Sequence, residues 1–221
     1  MKPETKLFRR IVIVCCLALA VIATARPIGA AGEAVITYRK IFKGSVPESV
    51  EIMISETGKC TYDIRQLAED PKPQEFEVGQ PIRVKIFSLA KELNNFRNQD
   101  LDVHRKIANL GAKTFRYEKD GVSYETTYNY TLSTPASQLQ QILEGLSYQQ
   151  DHMQTLQRTL KYDRLGLYDA LGYLQADLEN GVIPEPEHLL PVLEQIANDA
   201  HVIEIARQRA RAITTRIRNA K

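Results

Sequence analysis

The apolar spacing of this 221-residue chain changes at Thr134-Pro135, and that change constrains the fold more than any other feature. Before it, apolar residues recur mostly at every second position, as in half-buried strands. After it they recur at steps of three and four, as on one face of a helix. The N-terminal part reads as three strands, AVITYRKIF (34–42), VEIMISE (50–56) and CTYDIRQ (60–66), separated by turns at Gly44, Pro47 and Gly58. Val50, Ile52 and Ile54 alternate with polar neighbours, and Cys60, Tyr62 and Ile64 oppose Thr61, Asp63 and Arg65. AEDPKPQE (68–75) reads as a polar connection. In PIRVKIFSLAKELNNF (81–96), Ile82, Ile86, Leu89, Leu93 and Phe96 form one helical stripe behind an opening proline. KTFRYEK and VSYETTYNYTL flank Asp120-Gly121, a pair suited to a two-residue hairpin turn. The expected fold is α+β: an antiparallel sheet covered by one helix over 34–133, then an all-helical segment over 134–221.

That segment opens with a hydroxyl cap and a first-turn proline. Leu139, Ile142, Leu146, Gln149, Met153, Leu156 and Leu160 keep heptad spacing, and Gly166 marks a break. Leu167, Leu171, Leu174 and Leu178 stripe a second helix that Asn180-Gly181 ends. Ile196, Ala200, Ile203, Ala206, Ala210, Ile213 and Ile217 predict one last helix of six turns, with Pro191 in its first turn or at a kink. About three helices, packed as antiparallel neighbours, are expected.

Charge is sorted along these helices. Leu165 to Glu204 holds eight carboxylates and no Lys or Arg, whereas six basic residues and no acid follow Glu204. On a helical wheel Arg207, Arg211 and Arg218 line one edge of the apolar stripe, and Arg209 and Arg216 line the other. Such rails suit a partner that is apolar in the middle and acidic at its edges. Asp169, Asp177, Glu179, Glu194 and Glu204 supply that complement within the chain, so the arginines are expected at a helix–helix interface. The interface lies in one molecule or between two copies of a homodimer joined through the C-terminal helices. Adhesion of this helix to anionic lipid is the weaker alternative.

The first residues point to export. Lys2, Lys6, Arg9 and Arg10 precede an apolar run from Ile11 to Ala23, and Ala23-Thr24-Ala25 offers small residues for cleavage. Thirteen apolar residues fall short of the ~20 that span a bilayer, so a signal peptide over 1–25 is expected, with cleavage as late as 31 as the other possibility. The alternative is an uncleaved inner-membrane anchor, and membrane contact is expected only in that case. Removal of 1–25 leaves 25 basic against 26 acidic residues, a net charge of −1. A periplasmic or extracellular chain so close to neutral is not expected to bind nucleic acid. Only Cys60 remains, so the fold depends on its core and on no internal disulfide.

No reaction is named by the sequence. His104, His152, His188 and His201 share no i,i+3 or i,i+4 spacing, and no HExxH, GxSxG, phosphate loop or dinucleotide fingerprint occurs. No metal, cofactor or catalytic residue is assigned. Cys60 with His104 as its base is the one nucleophilic pairing to consider, and the strand position of Cys60 argues for core. Two features suit binding. Tyr124, Tyr128 and Tyr130 share a predicted strand face, and an open tyrosine face binds sugars or peptides at low entropic cost. DLDVHRKIANLGAKTFRYEK (100–119) is long for a connection, which makes His104 a candidate polar contact.

FKGSVPESVEI, TYDIRQL and LDVHRKIANLGAKTFRYEK resemble segments of an uncharacterised family of exported bacterial proteins. The resemblance implies export and a two-part layout, and it carries no activity, ligand or catalytic residue. The expectation is an exported, non-catalytic binding or scaffolding module for an envelope protein or glycan. The alternatives are an envelope hydrolase using the 100–119 loop and a membrane-anchored structural protein.

Overall fold

The computed structural model describes residues 32–220, so the segment expected to be a signal peptide lies outside the described residues. Six strands form one antiparallel sheet: β1 (Val35–Ile41), β2 (Ser49–Ser55), β3 (Lys59–Arg65), β4 (Gln74–Glu77), β5 (Ala112–Lys119) and β6 (Val122–Tyr128). Their spatial order is β4-β3-β2-β1-β5-β6. The β5–β6 turn takes left-handed backbone at Asp120 (φ 52°) and Gly121 (φ 75°), as a twisted two-residue hairpin requires. β4 corrects the reading of 68–75 as connection only. Its sequence QEFE has one apolar side chain, Phe76, whose ring meets Tyr62 edge-on at 5.7 Å. A four-residue edge strand with solvent on one face leaves little periodicity to detect.

Helix α1 (Gln80–Glu92) crosses one face of the sheet. It stops at left-handed residues Asn94, Asn95 and Phe96, yet Leu93 and Phe96 still reach the core. Phe96 stacks on Phe115 at 5.2 Å, and this burial offsets the cost of a positive φ in a bulky residue. The sheet contributes Ile36, Tyr38, Ile52, Ile54, Phe115 and Tyr128 to the same core. Six strands at about 4.8 Å spacing are wider than one helix of about 10 Å. The first half of α2 (Thr134–Tyr162) adds Leu139, Leu143 and Leu146 beside α1.

The second half of α2 enters another core. Leu156 and Leu160 join Leu171 and Leu174 of α3 (Leu167–Glu179), Leu193 and Ile196 of α4 (Leu190–Asn198), and Ala210, Ile213 and Ile217 of α5 (Glu204–Asn219). α2 therefore belongs to both cores. Pro191 lies in the first turn of α4. The single six-turn helix expected at the end is corrected to two, because the chain leaves the helical region at Asp199 (φ −77°, ψ 111°). The Asp199 carboxylate accepts the backbone N–H and ring nitrogen of His201, a local arrangement that competes with helix. Val202 fills the core in place of Ala200 and Ile203, which are exposed. No helix among the described residues is long and apolar enough to cross a membrane.

Candidate functional site

Strand register brings three distant segments to one end of the sheet. Ile41 pairs with Ala112 and Lys113 pairs with Tyr128, so the ends of β1 and β6 lie beside the start of β5. The 100–111 segment closes over this end through side chains that replace a strand ladder. The Asp102 carboxylate accepts the backbone N–H groups of Asn129 and Tyr130, and Val103 N–H donates to the Tyr130 carbonyl. Asn129 accepts Leu110 N–H through Oδ1 and donates through Nδ2 to the Ala108 carbonyl. Gly111 (φ 88°) lies so near Phe42 that an added Cβ would meet its Cβ at 2.9 Å.

Two lysines face each other below this closure. Lys40 and Lys113 are cross-strand partners on the covered face, where neighbours are apolar. Lys113 is 6 % exposed, and its Nζ donates to the carbonyls of Leu110, Gly111 and Asn129 at 3.1, 3.3 and 2.8 Å. Burial, then the charge of Lys40, lower its pKa. Lys40 Nζ lies 3.3 Å from Glu144. Tyr38 Oη also donates to Glu144, at 2.5 Å, and burial pushes that hydroxyl far above its usual range. Gln140 donates to Glu144 and accepts from Tyr128 Oη at 3.0 Å. Two ammonium groups and one carboxylate leave this cluster with a positive surplus.

Between the closure and the first turns of α2 runs a groove of about 460 Å³. Lys40, Phe42, Lys113, Tyr130, Ser137 and Gln141 are among its lining residues. No hydrogen bond is made by the Tyr130, Ser137 or Gln141 side chains among the described residues, so these groups are open to a ligand. The groove has the chemistry of hydrogen bonding and charge.

The residues singled out from the sequence divide sharply. Tyr130 stands on the groove rim, 44 % exposed. Tyr128, expected on an open face, is corrected to core: it is 2 % exposed with its ring 5.6 Å from Phe115. The tyrosine face is the face that α1 and α2 cover. The open face instead carries Thr37, Arg39, Glu51, Thr114 and Arg116. Tyr124 is half-buried, with the Arg97 guanidinium 5.5 Å from its ring centre, and it does not line the groove. His104 is exposed, its Nε2 2.7 Å from Asp100 and its Nδ1 3.7 Å from Asp102. The hydrogen bond from Asp100 raises its pKa. Its Nε2 is committed to the Asp100 carboxylate, and its Nδ1 makes no hydrogen bond among the described residues. Cys60 is buried, its Sγ directed at the Gly58 carbonyl, and burial pushes its pKa far up, so the thiol stays protonated. No group of three or more His, Cys, Asp or Glu among the described residues is arranged to hold a metal ion.

The five arginines meet partners in their own chain. Arg216 reaches Glu179 at 3.2 Å and Arg218 reaches Glu194 at 2.6 Å. Arg209 stacks on Tyr168 at 3.7 Å and donates to its carbonyl at 2.7 Å. Arg211 donates to the Ala197 carbonyl and to Glu204, and Arg207 also pairs with Glu204, so the ion pairs of these two lie within α5 itself and not with the acids of α3 and α4. Asp177 meets His152 instead of an arginine. Sequence reasoning passed over Lys40, Lys113, Gln140 and Glu144. The signal was a lysine in an otherwise apolar period-two row, after Ile36 and Tyr38 in β1 and before Phe115 in β5.

No family model and no curated protein matches the chain.

Proposed function

We propose that this protein is an exported envelope module that binds, and does not transform, a polar ligand held in the groove at the end of the sheet. The observation that carries the reading is the groove itself: Tyr130, Ser137 and Gln141 present unsatisfied hydrogen-bonding groups beside a lysine pair with surplus charge. A hydroxyl- or carboxylate-bearing ligand, such as an envelope glycan, suits that lining. Export rests on the basic start, the thirteen-residue apolar run and Ala23-Thr24-Ala25.

The test is an NMR titration of the full chain with soluble envelope glycan fragments, following both protein amides and ligand. Shift changes confined to 129–131, Ser137, Gln140 and Gln141, with the ligand unaltered, are expected. Gln141→Ala together with Tyr130→Ala should weaken binding by roughly thirtyfold, two lost hydrogen bonds at about 1 kcal/mol each. Changes centred on the polar sheet face, or turnover of the ligand, would contradict the reading.

A further inference from the structure

The rim of the groove carries side chains that water alone does not favour. Val46 is 90 % exposed at the tip of the β1–β2 turn and Leu132 is 66 % exposed between β6 and α2, with Ile107, Leu110 and Tyr130 also exposed. The fold places them together. Phe42 lines both the groove and the hollow that Val46 borders, and Leu110 and Tyr130 line the groove on the other side. Large apolar side chains grouped at one exposed end mark an interaction surface.

Cations stand among them. Lys43, Arg105 and Lys106 are exposed and make no salt bridge among the described residues. The neighbouring acids are turned to the protein's own groups. Asp102 accepts backbone N–H groups of Asn129, Tyr130 and His104; Glu48 accepts those of Gly44 and Leu67; Asp100 faces His104. These acids keep their charge, so Lys40, Lys43, Arg105, Lys106 and Lys113 stand against Glu48, Asp100, Asp102 and Glu144, five cations to four anions. What marks this end is that Lys43, Arg105 and Lys106 have no ion-pair partner among the described residues.

We propose that this end of the sheet docks on an anionic lipid surface, with Val46, Ile107, Leu110 and Leu132 entering the headgroup boundary and Lys43, Arg105 and Lys106 meeting phosphates. Apolar tips fringed by Lys and Arg, with a tyrosine between, are the pattern of interfacial attachment. A soluble acidic polymer would satisfy the cations but leave Val46 and Leu132 in water, so the apolar tips favour lipid. This proposal rests on the reading that the groove end is the binding end. It also moves membrane contact from the first residues of the chain to the folded part.

The chain contains no tryptophan, so Leu132→Trp in the full chain is a single reporter on the rim. Tyr173→Trp, exposed on α3, is the control. Each is mixed with phosphatidylcholine vesicles, with and without an equal part of phosphatidylglycerol, and with brominated lipid as quencher. The expected result is a blue shift and quenching of Leu132→Trp on anionic vesicles only, with Tyr173→Trp unchanged. Adding Lys43→Glu and Lys106→Glu should weaken the effect by about tenfold or more. No change at Leu132→Trp would overturn the proposal, even if vesicles capture the chain through another segment. Equal changes at both reporters would do the same. A response to soluble polyglutamate and none to vesicles would assign the surface to an acidic polymer instead. Glycan titration of the Gln141 and Tyr130 variants reads the groove alone, so failure of the lipid proposal and failure of the groove reading are separable.

Discussion

Gly145 occupies the middle of α2, where glycine ordinarily costs about 0.5–1 kcal/mol relative to alanine. Here the usual sign reverses. A Cβ at this position would run into the Val182 carbonyl and the Pro184 ring, and the backbone carbonyl cannot swing aside as a side chain can. Gly145→Ala should lose about 1–3 kcal/mol in urea unfolding, as overpacked sites do. Glu185, 8 % exposed, holds the same 181–189 segment against the start of α1 and the middle of α2. Its Oε1 accepts Gly79 N–H at the start of α1, its own N–H donates to Gln149, and its Oε2 has no hydrogen-bond partner, with His188 Nδ1 3.9 Å away. Burial lifts its pKa above the usual glutamate range. A carboxyl with a raised folded pKa contributes stability below its unfolded pKa and loses it as pH rises through the folded value. Glu185→Gln should therefore be more stable than the parent at neutral pH, by about 1 kcal/mol. The gap should close as pH falls toward about 4, because the folded parent takes up its proton above the usual glutamate value and the unfolded chain does so near it. Parallel urea titrations across this range are the check. Lys113→Met keeps the aliphatic stem and strips three carbonyls of their donor, which should cost roughly 1–3 kcal/mol and speed amide exchange over 108–111.

Among the elements, α5 shows which charges matter. Arg218 and Arg216 pair with Glu194 and Glu179 at the surface, and exposed pairs contribute about 0.2–1 kcal/mol. Arg209 is different, since its guanidinium lies over the Tyr168 ring, bonds to a helix carbonyl and packs beside Gly172. Arg218→Ala should change stability by under about 1 kcal/mol, and Arg209→Ala should lose about 2 kcal/mol, both read by thermal unfolding. The α1 stripe, the Asp120-Gly121 hairpin and the start of α2 at Thr134-Pro135 were legible because each follows from spacing or local turn chemistry. β4 was not legible, because an edge strand with one apolar residue has no period. The break at Asp199 was hidden because the heptad pattern continues across it, and the side-chain bonds that stop the helix are invisible to spacing. The candidate groove was legible only at Tyr130 and the 100–111 loop. Its lysines and Glu144 come from three elements that meet through register, and alternation says which residues share a face but not which face is covered.

For the whole molecule, α2 decides how the parts behave together. Its 29 residues extend about 43 Å, with Leu139, Leu143 and Leu146 in the sheet core and Leu156 and Leu160 in the helical core. Neither core can lose α2 without losing a wall, so one cooperative unfolding transition is expected, with the van't Hoff and calorimetric enthalpies equal. The opposite end of the arrangement is the open sheet end, where turn 42–48, loop 104–111 and residues 129–132 meet. Hydrogen–deuterium exchange of the full chain, with and without phosphatidylglycerol vesicles, is the most direct reading of that surface. Protection at these three segments, with α3, α4 and α5 unchanged, is the expected result. Protection on the helices or on the open polar face of the sheet, with none at 104–111 and 129–132, would contradict it.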